Sequence, residues 1–350
     1  MAGLDASVII VNYNNAGYSI GAAKSVLKRG FAKGEKFEII LVDNGSNPPE
    51  AGKLEKAFAG RKNVRVVSTG KNLGYTGGTN YAVPMAGARY IIVLSNDVIV
   101  DKGWGTALLE KLGPGVAVVS SARIKEWKEK SGRTGRVGGA NLVDRGIPDL
   151  LDAPFPGVGG CSFAFDRRLV KKPFDDDYFM YYEDAQLSNL VRLRGLEIRL
   201  APDSSLMHYG SATVGKKSFL KTFYSERNRL LNILTTYSAP TEMKLLPLVI
   251  ADVAAVNLAS CVALDGQTLE ARLKAYWWIL ANSGKVLEKR EKMQKARRAG
   301  DEELLKFHSC KMLPGKGTVG KIVNAAAETY CRLVGLHCYE FGEEFKKRKE

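Results

Sequence analysis

The chain lacks the features that would place it in several common classes. Its five cysteines are an odd number, widely scattered, and no two stand as C-x-x-C. That pattern argues against a disulfide framework and fits a reduced, cytosolic chain. The opening MAGLDAS runs into an apolar stretch without a basic region and a separate apolar core, so no secretory leader is expected and the chain is assigned to the cytoplasm. No G-x-G-x-x-G follows the first apolar run, which continues as NYNNAGYSIG. A dinucleotide oxidoreductase needs that glycine turn for its pyrophosphate, so this class falls away. Acidic residues are also short, 37 against 52 basic ones, which gives a formal charge of +15 and a pI near 9.5. An anionic partner follows: nucleic acid, anionic lipid or a phosphorylated small molecule.

What is present reads as α/β. Apolar β-branched runs at 7–12, 37–42, 63–68, 90–94 and 116–120 alternate with helical stretches at 19–28, 49–59 and 78–86. The strands are continuously apolar (VIIV, EIILV, YIIVL), as a sheet covered on both faces requires, so a mainly parallel sheet flanked by helices is expected. Ligands then belong at the carboxyl ends of the strands. Polar clusters lie there: Asn12-Tyr13-Asn14-Asn15, Asp43-Asn44-Gly45-Ser46 and Ser95-Asn96-Asp97. The stretch 125–156 is rich in Gly, Arg and Lys with little periodicity and is expected to be a loop near the ligand face.

Beyond residue 237 the composition changes. The apolar stretch 245–264 has the length of a membrane span but contains Pro247, Asp252 and Asn257. The run KVLEKREKMQKARR carries seven Lys/Arg and two Glu, a net +5, and follows Tyr276-Trp277-Trp278. A catalytic domain over 1–237 and a basic helical region over 238–350 that touches a membrane surface are therefore expected. His308, Cys310, Cys331, His337 and Cys338 carry soft donor atoms, but their spacing matches no standard zinc pattern.

The most informative stretch is 174–212. Glu183-Asp184 opens a helical segment, and His208 follows the next strand. A carboxylate at a helix N-terminus can take a proton, and a histidine one strand later can ligate a metal that carries phosphate charge. Leu187 and Val191 fall three and seven residues after Asp184, placing it over the buried face of its helix. Asp175-Asp176-Asp177 reads as a solvated turn, because consecutive side chains cannot all face one ion.

Six blocks in order, SVIIVNYNN, LVDNGS, NLGYTGGTNYAV, IIVLSNDVIV, GGCSFAF and FMYYEDAQL with PDSSLMHYG, resemble the inverting glycosyltransferases of family 2, in particular its rhamnosyltransferase-like members with the GT-A fold. The resemblance spans about residues 5–237. It implies a sugar passed from a nucleotide-diphosphate donor to a glycan hydroxyl, with Mg²⁺ or Mn²⁺ assisting, and an acceptor linked to a polyprenyl phosphate at the inner membrane face. By the same resemblance Asp43 contacts the nucleobase. Asn12, Asn14, Asn72, Gly74, Gly77 and Gly78 line the donor pocket. Ser95-Asn96-Asp97 stands where the family has D-x-D, with Asn96 toward ribose or metal. Asp97 and His208 are the metal ligands, and Asp184 is the general base with Glu183 as competitor or acceptor contact. Arg227, next to Asn228, would hold a diphosphate. Two departures, the missing first acid of D-x-D and Gln186 where another acid is common, leave a weakened sugar-nucleotide binding subunit as an alternative. A basic nucleic-acid-binding protein is the other, without a motif in its favour.

Overall fold

A computed structural model describes residues 3–126, 134–135, 139–147, 157–210, 218–313 and 317–338. In chain order the strands are β1 Ala6–Asn12, β2 Phe37–Asp43, β3 Val64–Ser68, β4 Tyr90–Leu94, β5 Val98–Val100, β6 Val116–Glu126, β7 Thr134–Gly135, β8 Gly139–Asn141, β9 Gly146–Ile147, β10 Ser162–Asp166, β11 Glu197–His208 and β12 His308–Ser309. The helices are α1 Ala16–Arg29, α2 Ala51–Ala57, α3 Gly74–Ala82, α4 Trp104–Leu109, α5 Glu183–Leu193, α6 Phe219–Thr236, α7 Ala239–Val262, α8 Gly266–Ala281, α9 Ser283–Ala296, α10 Glu302–Leu305 and α11 Thr318–Val334.

The chain divides into two compact units. One comprises 1–136, 158–187 and 196–216; the other comprises 137–157, 188–195 and 217–350. The first holds the large sheet, in the order β3-β2-β1-β4-β10-β6-β11-β5 with β7 on β6. Strands β1 to β4 are mutually parallel, and Ile9, Ile10, Ile40, Leu41, Ile92 and Val93 are fully buried. Consecutive residues point to opposite faces, so burial of neighbours means that both faces are covered, as the unbroken apolar runs require. The parallel half ends at β4. Strand β10 is antiparallel to both β4 and β6, and β5 is antiparallel to β11. Trp104 anchors the mixed half, fully buried and donating its indole N–H to Ser162 Oγ at 2.9 Å.

The second unit is mainly helical and begins earlier than residue 238. Helix α6 belongs to it, and so do residues 137–157, where β8 and β9 pair with each other and β8 pairs with β12. The composition change at 237 misses this boundary because α6 is held by buried charge, which hydropathy does not register. Arg229 is fully buried and pairs with Glu226 and Asp252, while Arg145 pairs with the same two carboxylates. Burial would raise the Glu226 pKa, but the two guanidiniums outweigh it and hold the carboxylate below its usual range. The rest of the loop expected over 125–156 lies largely outside the described residues.

Removing one member of such a buried network strands the others. Arg229→Met should lower unfolding stability by about 3 kcal/mol, measured by urea denaturation, whereas the exposed Arg199→Met should change it by under about 0.5 kcal/mol.

Candidate active site

Parallel register brings the first two polar clusters side by side. Asn12 on β1 pairs in register with Asp43 on β2, and Asp43 with Ser68 on β3. Asp43 Oδ2 accepts the backbone N–H of Glu50 and of Ala51, both at 3.0 Å, where α2 begins. Burial would raise its pKa, but these bonds, with those from Ser46 and Asn12, hold it below the usual carboxylate range. Glu50 Oε2 in turn accepts Asn12 Nδ2 at 3.1 Å and the N–H of Ala16 at 2.9 Å, at the start of α1. Asn12 is fully buried and its Oδ1 accepts the Ser19 hydroxyl at 2.6 Å. The amide of Asn12 is thus an internal hub that ties two helix N-termini to the sheet, whereas Asn14, exposed at φ +55°, sits at the rim with its Oδ1 accepting the N–H of Asn47.

The glycine-rich loop is held in a related way. Asn72 Oδ1 accepts the N–H of Gly74 at 2.8 Å, and the buried Asn44 bonds Asn72, Gly74 and Leu73. Gly74 has φ +72°, and a Cβ there would lie 2.4 Å from the carbonyl oxygen of Phe179. At Gly78 a Cβ would lie 2.9 Å from Val11. At both positions in α3 a side chain would collide with the chain itself, so the backbone here packs closer than any other residue allows.

The third cluster forms the centre. Strand β4 ends at Leu94, and Ser95-Asn96-Asp97 leads into β5, whose antiparallel pairing sets His208 opposite Val98. His208 Nε2 consequently lies 3.2 Å from Asp97 Oδ1, and the N–H of Tyr209 donates to the Asp97 carbonyl at 2.9 Å. Two neighbouring donor atoms on an octahedral ion at about 2.1 Å are separated by about 3.0 Å. The pair therefore fits Mg²⁺ or Mn²⁺, with the imidazole favouring Mn²⁺. Asn96 donates to Ser19 Oγ at 3.3 Å.

Cys161 lies where the charges of both Asp97 and Asp184 reach it; burial first, and then those charges, push its thiol up to about 12. A Cβ on Gly160 would lie 2.9 Å from Asp184 Oδ2. Tyr75, whose hydroxyl donates to the Gly160 carbonyl at 2.9 Å, is raised well above its ordinary pKa by burial and then by Glu183. Tyr75, Gly160 and Cys161 therefore stand around the catalytic candidates, and sequence reasoning passed over all three although each lies inside a quoted block.

Glu183 and Asp184 open α5, and Leu187 and Val191 are buried beneath them. Three of the four residues before Glu183 have positive φ: Phe179 at +62°, Tyr181 at +67° and Tyr182 at +64°. Phe179 centres a γ-turn, with the N–H of Met180 bonded to the Tyr178 carbonyl at 2.6 Å. Each such conformation costs on the order of 1–3 kcal/mol in a non-glycine residue. Glu183 is 7% exposed, and its Oε2, like Gln186 Oε1 one turn later, has no hydrogen-bond partner among the described residues. Burial and then the Asp184 charge raise Glu183 to about 8. Arg227 lies in the other unit, on α6, where its guanidinium stands over the rings of Trp278 and Tyr224 at 4.6 and 4.8 Å and its Nε donates to Asn228.

Residues 7–174 match glycosyl transferase family 2. Glycosyltransferase GlyG of Streptococcus pneumoniae is 28% identical over 127 residues, which are 36% of this chain and 41% of GlyG, so the match spans under half of that relative. Among solved structures, GalNAc-T7 with UDP, GalNAc and Mn²⁺ superposes with a TM-score of 0.54 at 18% identity, over 68% of this chain and 49% of that one. The mannosyltransferase PcManGT of Pyrobaculum calidifontis, in complex with GDP-Man and Mn²⁺, gives 0.51 at 15% identity over 85% of each chain. At these identities the likeness establishes the fold, a GT-A sheet flanked by helices.

A raised carboxyl binds its proton more tightly in the folded chain than in the unfolded one. The contribution of Glu183 to stability is present below about pH 4.5 and is lost as pH rises through about 8. Urea midpoints should fall over that range, and Glu183→Gln should flatten the slope; parallel slopes would show that Glu183 titrates normally.

Proposed function

We propose that this chain transfers a sugar from a nucleotide-diphosphate sugar to a hydroxyl of a glycan, with inversion at the anomeric carbon. The observation that carries the reading is the 3.2 Å approach of His208 to Asp97 at the carboxyl end of the sheet, in the unit that also holds the Glu183-Asp184 pair. Asp97 and His208 would hold a divalent ion, and bound there it would offset the charge of the departing diphosphate. Asp184 takes the acceptor proton while the acceptor oxygen bonds to the anomeric carbon and the bond from that carbon to the diphosphate oxygen breaks. One base and one displacement give inversion. Glu183, protonated near neutral pH, donates to an acceptor oxygen, and Gln186 lies on the same helix face. Asn14, Asn72 and Asn96 contact the donor. Asn12, Gly74 and Gly78 shape its pocket through the packing described above. Asp43 serves an imide N–H of the nucleobase. A hexosyl or rhamnosyl group falls within this reading.

The proposed acceptor is linked to a polyprenyl phosphate, and the chain works at the inner face of the cell membrane. Support comes from α7, which is long and apolar enough to cross a membrane by length and composition and exposes Met243, Leu246, Ile250, Leu258 and Val262 at helical spacing. Its Asp252 is engaged with Arg145 and Arg229, which favours an interfacial helix over a spanning one. The basic run contributes less than its count implies. Arg290 pairs with Glu242, Arg297 with Asp301, Lys292 with Glu288 and Lys295 with Glu291.

Transfer from a panel of nucleotide sugars should identify one donor, and Asp184→Asn should lower its turnover by about 10²–10⁴-fold with donor affinity kept. Turnover that survives in Asp184→Asn, or donor binding without any transfer in the wild type, would favour the weakened binding subunit. Ile250→Asp with Leu258→Asp should release the protein from anionic vesicles; unchanged binding would remove the anchor.

A further inference from the structure

Cys310, Cys331 and Cys338 are separated by 21 and 7 positions in the chain, yet their sulfur atoms all lie within 4.8 Å of one another. All three are at most 2% exposed, and none is in a disulfide. Each is placed by a different piece of the second unit. Cys310 directly follows β12, which is fixed by pairing of His308 and Ser309 with Ala140 and Asn141. Cys331 lies in the last turn of α11. That helix ends on Gly335 at φ +68°, with the N–H of Gly335 bonded to the Arg332 carbonyl and that of Leu336 to the Cys331 carbonyl. This C-terminal cap reverses the chain, since a left-handed glycine closes the helix while satisfying its last carbonyls. The reversal returns Cys338 to Cys331. Asn324, two turns earlier on α11, ties in the segment after Cys310: its Oδ1 accepts the N–H groups of Met312 and Leu313, and its Nδ2 donates to the Leu313 carbonyl.

A single buried cysteine is ordinary, because it packs as a small hydrophobe. Convergence of three from separate segments is not accounted for by packing, since thiols are weak donors and acceptors that gain little from meeting in an apolar core. The surroundings are apolar, with Leu245, Leu304, Leu305 and Leu336 in the same cluster. A disulfide would use two sulfurs and leave the third without a role. Three thiolates on a tetrahedral ion, at about 2.3 Å each, stand about 3.8 Å apart, a spacing the 4.8 Å cluster reaches by small side-chain rotations. Three thiolates and one divalent ion leave one negative charge. The ammonium of Lys244 lies close to the turn between Cys331 and Cys338, 3.9 Å from where a Cβ on Gly335 would stand. His308, the nearby imidazole, directs Nδ1 to the Leu304 carbonyl instead.

We propose that Cys310, Cys331 and Cys338 bind a thiophilic metal ion of the Zn²⁺ class, which joins the end of α11 to β12. Each thiol gives up its proton on binding, so occupancy falls in acid. The site is separate in ligand chemistry from Asp97 and His208, which offer oxygen and imidazole to a harder ion.

The test uses the full chain purified under reducing conditions. Elemental analysis should find about one Zn²⁺ per chain. Co²⁺ added to chelator-treated protein should give thiolate-to-cobalt charge-transfer absorption. Cys331→Ser and Cys338→Ser should each lower metal retention at least about tenfold, while Cys261→Ser, exposed and elsewhere in sequence, and Asp97→Ala should keep it. The wild-type cobalt spectrum and protection of the three thiols from alkylation by Zn²⁺ do not depend on whether a variant folds. Absence of both Zn²⁺ retention and the cobalt band, a disulfide among the three cysteines in the reduced preparation, or retention unchanged in Cys331→Ser would overturn the proposal.

Discussion

The antiparallel pairing of β5 with β11 is the constraint on which the candidate site depends. It runs for three residue pairs, ending with His208 opposite Val98. A slip of one residue would turn His208 to the other face of the sheet and separate it from Asp97, because side chains alternate along a strand. Burial of Val98, Val100 and Leu206 opposes that slip. Short as it is, this ribbon converts two distant positions in the chain into one pair of donor atoms. Strands β1, β2 and β4 contribute differently: their parallel register ends the strands together, so that the polar residues after each apolar run share one edge.

The second element is the entry to α5. Positive φ at Phe179, Tyr181 and Tyr182 is unfavourable for residues with side chains, and it persists because neighbouring structure holds it: the Phe179 carbonyl accepts the N–H of Thr76, at a point where only a glycine fits at position 74. The strained turn delivers Glu183 and Asp184 at a helix N-terminus with one Glu183 carboxyl oxygen buried and without a partner among the described residues. A buried unpaired oxygen is costly, and a substrate hydroxyl would relieve that cost. The same burial raises the Glu183 pKa, so the feature that weakens the resting fold is also the one that keeps a proton on this carboxyl.

Much of this was legible in the sequence, for identifiable reasons. Continuous apolar runs revealed β1, β2 and β4 nearly to the residue, since burial on both faces leaves no other composition. Asp97, Asp184 and His208 were named from block order, and the fold brings Asp97 and His208 together. Less legible were residues whose role is internal. Asn12, Gly74 and Gly78 sit in the same blocks as the proposed ligand contacts, and only coordinates show that their near neighbours are Glu50, Phe179 and Val11. Residues 139–147 are tied to the helical unit by Arg145 meeting Glu226 and Asp252 and by the pairing of β8 with β12, links between distant segments. The thiol cluster was invisible for a similar reason: its geometry is made by a helix cap and a strand pairing, not by a spacing.

The role proposed for Asp97 and His208 is a metal-dependent site for a nucleotide diphosphate. Calorimetric titration of UDP, dTDP, GDP and CDP, with and without Mn²⁺, tests it most directly when repeated on Asp97→Ala and His208→Ala. One nucleotide diphosphate should bind only when Mn²⁺ is present, and either substitution should abolish this binding. Binding that is indifferent to Mn²⁺ and survives both substitutions, or no binding of any of the four, would contradict it.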